Sequence, residues 1–171
     1  MQNYFELFNL KTSFFVDDEA LKKSYQEQVT RFHPDNFANK SQSEQLQALQ
    51  NTSLVNSAYT ALKTPLNRAS YLLNLEDVNP FDEKDTNMDA NFLLSQIELR
   101  EQLEVIKEQQ DNLALDDFIE QVRDFTSDNV ASISKAFTQS RDLQEIKTLV
   151  RELKFYEQLS KEANILMDEW L

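Results

Sequence analysis

His33, Pro34 and Asp35 come nearest in this chain to residues whose types and spacing could do chemistry. A histidine two residues from an aspartate could be a general base with a carboxylate to orient it. It could also begin a metal site. Neither chemistry can be completed here. His33 is the only histidine, there is no cysteine, and no glycine exists to build an oxyanion loop beside the pair. A hydrolase using His33 and Asp35 is therefore disfavoured, and no metal or other cofactor is expected. Pro34 disfavours helical geometry at His33, so the tripeptide also suits a plain helix stop with a solvated turn. A third possibility is a surface loop built to touch a partner.

The elements around the loop bear on that choice. With no glycine and only three prolines, tight hairpins, P-loops and dinucleotide-binding turns are effectively excluded. The remaining composition favours helix, and 40% hydrophobic residues suffice for real cores in one domain or two small ones. Asn3 to Leu10 suggests a short apolar helix. Asp17 or Asp18 caps a second helix whose inward stripe is Leu21, Tyr25, Gln28 or Val29, and Phe32. Lys22, Lys23 and Arg31 lie off that stripe, towards solvent. Ser41-Gln42-Ser43-Glu44 has the capping-box pattern and opens a third helix to about Leu62, with Leu46, Leu49, Val55, Tyr59 and Leu62 inward. Thr64-Pro65 opens a short fourth helix.

Residues 76–89 are polar and acidic and contain Pro80, which fits a linker. Three long periodic segments follow, at about 90–110, 115–138 and 142–169, with Asp89 and Asp142 as plausible caps. Short connections make these an antiparallel bundle. Charge divides at the same place. Residues 1–75 are balanced, and the whole net charge of −13 lies beyond them. The acidic excess argues against nucleic acid as a partner. No apolar run is long enough for a signal peptide or a membrane span, so no membrane partner and a cytoplasmic location are expected.

An apolar first turn, a basic-faced helix, HPD in the next loop and a long antiparallel helix together resemble a J-domain. Such domains dock on DnaK-type chaperones and stimulate their ATP hydrolysis. The segments YFELFNL, FHPDNFANKSQSEQLQ, VNSAYTALKTPLNRASYLLNL and NFLLSQIELREQLE are similar to the HscB family, J-type co-chaperones of iron–sulfur cluster assembly. The resemblance runs through nearly the whole chain, and the bacterial form is the closer match. It implies an all-α protein with a J-domain at 1–75, a linker at 76–89 and a three-helix, scaffold-binding bundle at 90–171. It implies no catalytic residues of the chain's own. His33, Pro34 and Asp35, with Lys22, Lys23 and Arg31, would bind an HscA/DnaK-type ATPase chaperone. Asp35 in a rigid loop suits a bidentate arginine, and the basic face suits an acidic surface. Two departures stand out: Asn36 replaces the lysine common after HPD, and Glu76-Asp77 replaces a glycine common after YLLxL.

A second surface emerges from the first bundle helix. At about 100° per residue, Phe92, Leu99, Leu103 and Ile106 share one face, while Leu93, Leu94 and Ile97 fall on another. Glu101, Glu104 and Glu108 continue that second face. In the last helix Leu143, Ile146, Val150, Leu153 and Tyr156 make the core stripe, and Phe155 projects nearly opposite Ile146 as a further exposed anchor. The resemblance places an IscU-type scaffold on this region. It carries over Leu93, Leu94, Ile97, Glu98, Arg100, Glu101 and Phe155; Glu104 rests on the wheel. The chain is expected to work as a monomer. The alternative is a general J-protein delivering other clients, but promiscuous binding wants a larger, flexible apolar surface than this.

Overall fold

The computed structural model describes residues 3–85 and 88–171, and every regular element within them is helical. Positions 86 and 87 of the expected linker lie outside the described residues. The helices are α1 (Tyr4–Leu7), α2 (Asp18–Phe32), α3 (Gln42–Leu62), α4 (Pro65–Leu75), α5 (Ala90–Gln109), α6 (Asn112–Thr138) and α7 (Leu143–Trp170), with one 3-10 turn at Pro34–Phe37. The chain separates into two compact units, Met1–Leu72 and Leu73–Leu171.

Side-chain caps set the helix starts. Asn3 and Ser41 form capping boxes with Glu6 and Glu44. Asp17, Asp89, Asp111 and Asp142 accept amide N–H groups of the turns that follow them. Helix ends must be made without glycine. Asn9, Asp77 and Gln110 take left-handed φ of 54°, 58° and 51°. In each case the next residue donates to the carbonyl five back: Leu10 to Phe5, Val78 to Leu73, Asp111 to Ile106. Asp77 thus occupies, beside YLLNL, a conformation usually left to glycine. A short polar side chain tolerates it well.

In the first unit, Leu21 of α2, Val55, Ala58 and Leu62 of α3, and Ala69 and Leu72 of α4 are buried together with Phe5, Phe8 and Phe14. Tyr25 stacks on Tyr59 at 4.0 Å and Tyr4 on Tyr71 at 4.7 Å. Among these groups sits a buried cation, Arg68. Its Nε donates to the Leu62 carbonyl and its Nη1 to the Phe14 carbonyl, both at 2.9 Å. Its Nη2 approaches Asp18 at 3.5 Å. Burial pushes the guanidinium pKa down and Asp18 opposes the shift.

Two expected core residues are not core. Leu46 and Leu49 are exposed, at 56% and 58%. The buried stripe of α3 runs instead through Ala48, Val55, Ala58 and Leu62. The helical period explains the difference: at about 100° per residue Leu46 and Leu49 fall roughly 180° and 120° from Val55, on the outward face of α3. Tyr25 bonds Asn56, and Thr52 bonds the Phe32 carbonyl at the end of α2. The first ten residues of α3, 42–51, lie beyond the end of α2, yet Ala48 among them is still buried.

The second unit is built on α5, α6 and α7. Phe92, Leu99, Leu103 and Ile106 of α5 are buried against Leu115, Phe118, Ile119 and Val122 of α6 and Phe155, Leu159, Ala163 and Leu166 of α7. The α5 core stripe is the one expected from its period. Residues leading into α5 lie on α7: Asp85 pairs with Lys147 and approaches Arg151, and Lys154 lies over the Phe81 ring at 4.3 Å.

Replacing Arg68 with Met keeps the bulk but removes its hydrogen bonds to two carbonyls. We expect a loss of about 2–4 kcal/mol in chemical denaturation, on the scale of buried unsatisfied groups.

A second expectation concerns Glu152. Burial first, then the charge of Asp89, push its pKa above the ordinary 4.5, with the Asn129 amide opposing. The nearby Asn129 Oδ1 is buried and finds no donor among the described residues. An acid whose folded pKa is raised destabilises the fold above that pKa, and the penalty disappears as pH falls through it. Glu152→Gln should therefore melt higher than the parent at neutral pH. The gap should close on acidification towards pH 4.5, as read by thermal melts across pH.

Candidate functional site

The HPD turn is held from three sides. His33 ends α2 with φ −57° and ψ 133°, the extended geometry required before proline. Its Nδ1 accepts the Asp35 N–H at 3.2 Å, which places the neutral ring's proton on Nε2. The Asp35 carboxylate lies 3.5 Å from the same nitrogen. While Nδ1 accepts from the amide it cannot donate to that carboxylate. The pair is thus an ion pair only when the ring is protonated. Asp35 itself is almost wholly exposed, with its carboxylate free to meet a donor from outside.

Asn36 does more than remove a charge. Its Nδ2 donates to the Thr30 carbonyl at 2.7 Å, and the Asn36 N–H donates to the His33 carbonyl at 3.0 Å. The Thr52 hydroxyl lies 3.0 Å from the Phe32 carbonyl and 2.9 Å from the Ala48 carbonyl and shares its one proton between them. Two terminal carbonyls of α2 are thereby satisfied by side chains outside the helix. On the far side of the loop, Gln45 donates to the Ala38 and Lys40 carbonyls. The Ser41 amide and then its hydroxyl hold the Glu44 carboxyl below its usual pKa. Lys22, Lys23 and Arg31 are exposed on α2, and the Arg31 guanidinium lies 5.4 Å from the Phe32 ring centre. The bonding roles of Asn36, Gln45 and Thr52 were missed from the sequence. Only an amide or hydroxyl placed near a helix end hinted at them.

On α5, Leu93, Leu94 and Ile97 are 40%, 59% and 53% exposed, as the wheel expected. Glu98, Arg100, Glu101 and Glu104 lie on the same helix outside its buried stripe. Val105, four residues after Glu101 and half exposed, extends the same face. It was overlooked although its spacing repeats that of Ile97 and Glu101.

Phe155 corrects the sequence reading. It is buried, at 6% exposure, rather than a projecting anchor. Its ring meets Phe92 edge-on at 5.7 Å and is roofed by Arg100, whose guanidinium lies 5.4 Å from the ring centre. Arg100 is held there by Glu162 at 3.2 Å. The wheel treated α7 as packing on one side. In the bundle α7 contacts both α5 and α6, so it buries two stripes and Phe155 lies on the second.

A helical hairpin closed by an exposed HPD turn, joined in sequence to a separate helical bundle, defines a J-domain protein with an appended helical domain. A DnaJ domain model matches residues 3–71, and an HSCB C-terminal oligomerisation domain model matches residues 88–164. The chain is 38% identical over 165 residues to the co-chaperone protein HscB homolog of Photobacterium profundum, covering 96% of each. It is 38% identical over 170 residues to that of Vibrio campbellii, covering 99% of each. Among solved structures, the chaperone HscB from Vibrio cholerae matches with a TM-score of 0.89 at 36% identity, over 99% of this chain and 100% of that one. Human co-chaperone protein HscB matches with a TM-score of 0.89 at 29% identity, over 96% of this chain and 82% of that one. The chain belongs to the HscB co-chaperone family, which is not an enzyme family. No helix among the described residues is long and apolar enough to cross a membrane.

Solvent exposure of Leu93, Leu94 and Ile97 predicts that their joint replacement by alanine leaves the fold intact. Each should change stability by within about 0.5 kcal/mol, against about 2–5 kcal/mol for a core leucine. Thermal melts of the triple variant check this.

Proposed function

We propose that this chain is an adaptor in iron–sulfur cluster assembly: its J-domain stimulates ATP hydrolysis by an HscA/DnaK-type chaperone while its bundle holds an IscU-type scaffold. The observation that carries the reading is that each unit presents its own exposed surface. One is the HPD turn on a basic-faced helix. The other is the apolar and acidic face of α5. On the first, Asp35 accepts a bidentate arginine, and Lys22, Lys23 and Arg31 steer the encounter with an acidic surface. Pro34 and the Asn36 and Gln45 bonds hold the loop in place, which lowers the ordering cost of docking. His33 caps the turn through Nδ1 and leaves Nε2–H outward. On the second, Leu93, Leu94 and Ile97 are the apolar anchors, and Glu98, Glu101 and Glu104 select a partner with basic groups at their rim. Arg100 lies over the buried Phe155, so of that pair it is Arg100 that is open to a partner. Residues 76–89 link a J-domain at 1–75 to the bundle at 90–171. The protein works in the cytoplasm as a monomer that carries no cluster itself, since it has no cysteine.

A steady-state ATPase assay with an HscA-type chaperone, with and without scaffold, tests both halves. His33→Gln should abolish stimulation yet still bind scaffold in calorimetric titration. The Leu93, Leu94, Ile97 triple alanine variant should stimulate the basal ATPase but add nothing when scaffold is present. Wild-type stimulation by His33→Gln, or normal scaffold binding by the triple variant, overturns the corresponding half.

A further inference from the structure

Leu46 and Leu49 stand uncovered on the outward face of the first half of α3, away from the buried stripe through Ala48 and Val55. One exposed leucine needs no explanation, but these two lie at i and i+3 and form a single apolar ridge. The ridge borders the HPD loop. Gln45, four residues before Leu49 and so on the same face, donates its amide to the Ala38 carbonyl at 3.3 Å and the Lys40 carbonyl at 3.0 Å. The start of α3 is itself fixed by the Ser41–Glu44 capping box. Loop and ridge are thus one pre-formed surface, with polar groups on the loop and apolar groups beside them.

We infer that Leu46 and Leu49 extend the docking surface of the HPD loop and seat in an apolar depression of the ATPase chaperone, next to the groups that meet Asp35. The inference rests on the reading of the HPD loop as the chaperone-docking loop. Continuity with that loop names the occupant. A partner that closes over the turn must also cover the helix to which Gln45 ties it. The chemistry complements the loop's. Exposed charges such as Lys22 and Lys23 are screened as salt rises, whereas apolar burial is not. The ridge supplies the salt-independent part of docking.

The test compares wild type, Leu46→Gln/Leu49→Gln, Lys22→Glu/Lys23→Glu and His33→Gln in the same ATPase titration at low and high salt. Glutamine keeps helix propensity, so the leucine variant should melt with wild type. Its activation constant should rise roughly 10-fold, as for loss of an interface anchor, at both salt levels. The lysine variant's defect should shrink at high salt. An unchanged activation constant in the leucine variant, while His33→Gln is inactive, overturns the inference and leaves the docking loop standing. A wild type that fails to stimulate overturns both. Early melting of the leucine variant, checked with Leu49→Gln alone, would make the ridge structural and overturn the inference. So would sedimentation showing wild-type dimers that the variant loses without change in activation, because the ridge would then belong to a second copy.

Discussion

The Arg68 guanidinium is the interaction on which the first unit depends. It reaches the last carbonyl of α3, a carbonyl in the segment before α2, and the first turn of α2 through Asp18. Three chain segments that share no secondary structure are thereby fixed against α4. A buried charge is tolerable only when its donors are used and an opposite charge is near. Both conditions are met, with Phe14 also presenting its ring at 5.8 Å. The placement of α2 on α3 follows, and with it the height at which the HPD turn projects beyond the hairpin.

The turn itself shows how a loop is made rigid in a chain without glycine. Pro34 and the extended His33 fix its entry. Side chains also tie it to the end of α2, Asn36 on Thr30 and Thr52 on Phe32, and Gln45 holds its exit at Ala38 and Lys40. Such bonds contribute about 1 kcal/mol each. Their larger effect is to hold Asp35 and the ring of His33 in one arrangement, so that little freedom is lost on contact. The same lack of glycine shapes the helix ends, where Asn9, Asp77 and Gln110 adopt left-handed geometry.

In the bundle, one face of α5 makes the core and the neighbouring face stays in solvent. Phe92 and Phe155 meet edge-on below that exposed face, and Arg100 lies over Phe155. A surface on a rigid helix keeps its anchors at fixed spacing, which favours one defined partner over many.

The sequence by itself determined the all-helical class, the caps at Ser41, Asp89 and Asp142, a cap at Asp17 or Asp18, the core stripe of α5 and the exposure of Leu93, Leu94 and Ile97. Each of these is a local property, set by a side chain on its own turn or by a 3.6-residue period. Family membership was legible too, because PLNRASYLLNL and LLSQIELREQLE lie in unbroken runs. Leu46 and Leu49 are a different case: they lie on the face of α3 opposite Val55, so the period of α3 itself places them outside the core. Tertiary structure alone decided the rest. Whether Phe155 is buried depends on α7 having two neighbours instead of one. The partners of Arg68, up to 54 residues away in sequence, depend on the chain folding back to bring carbonyls to a cation. A helical wheel describes one helix in isolation, and burial is a relation between helices.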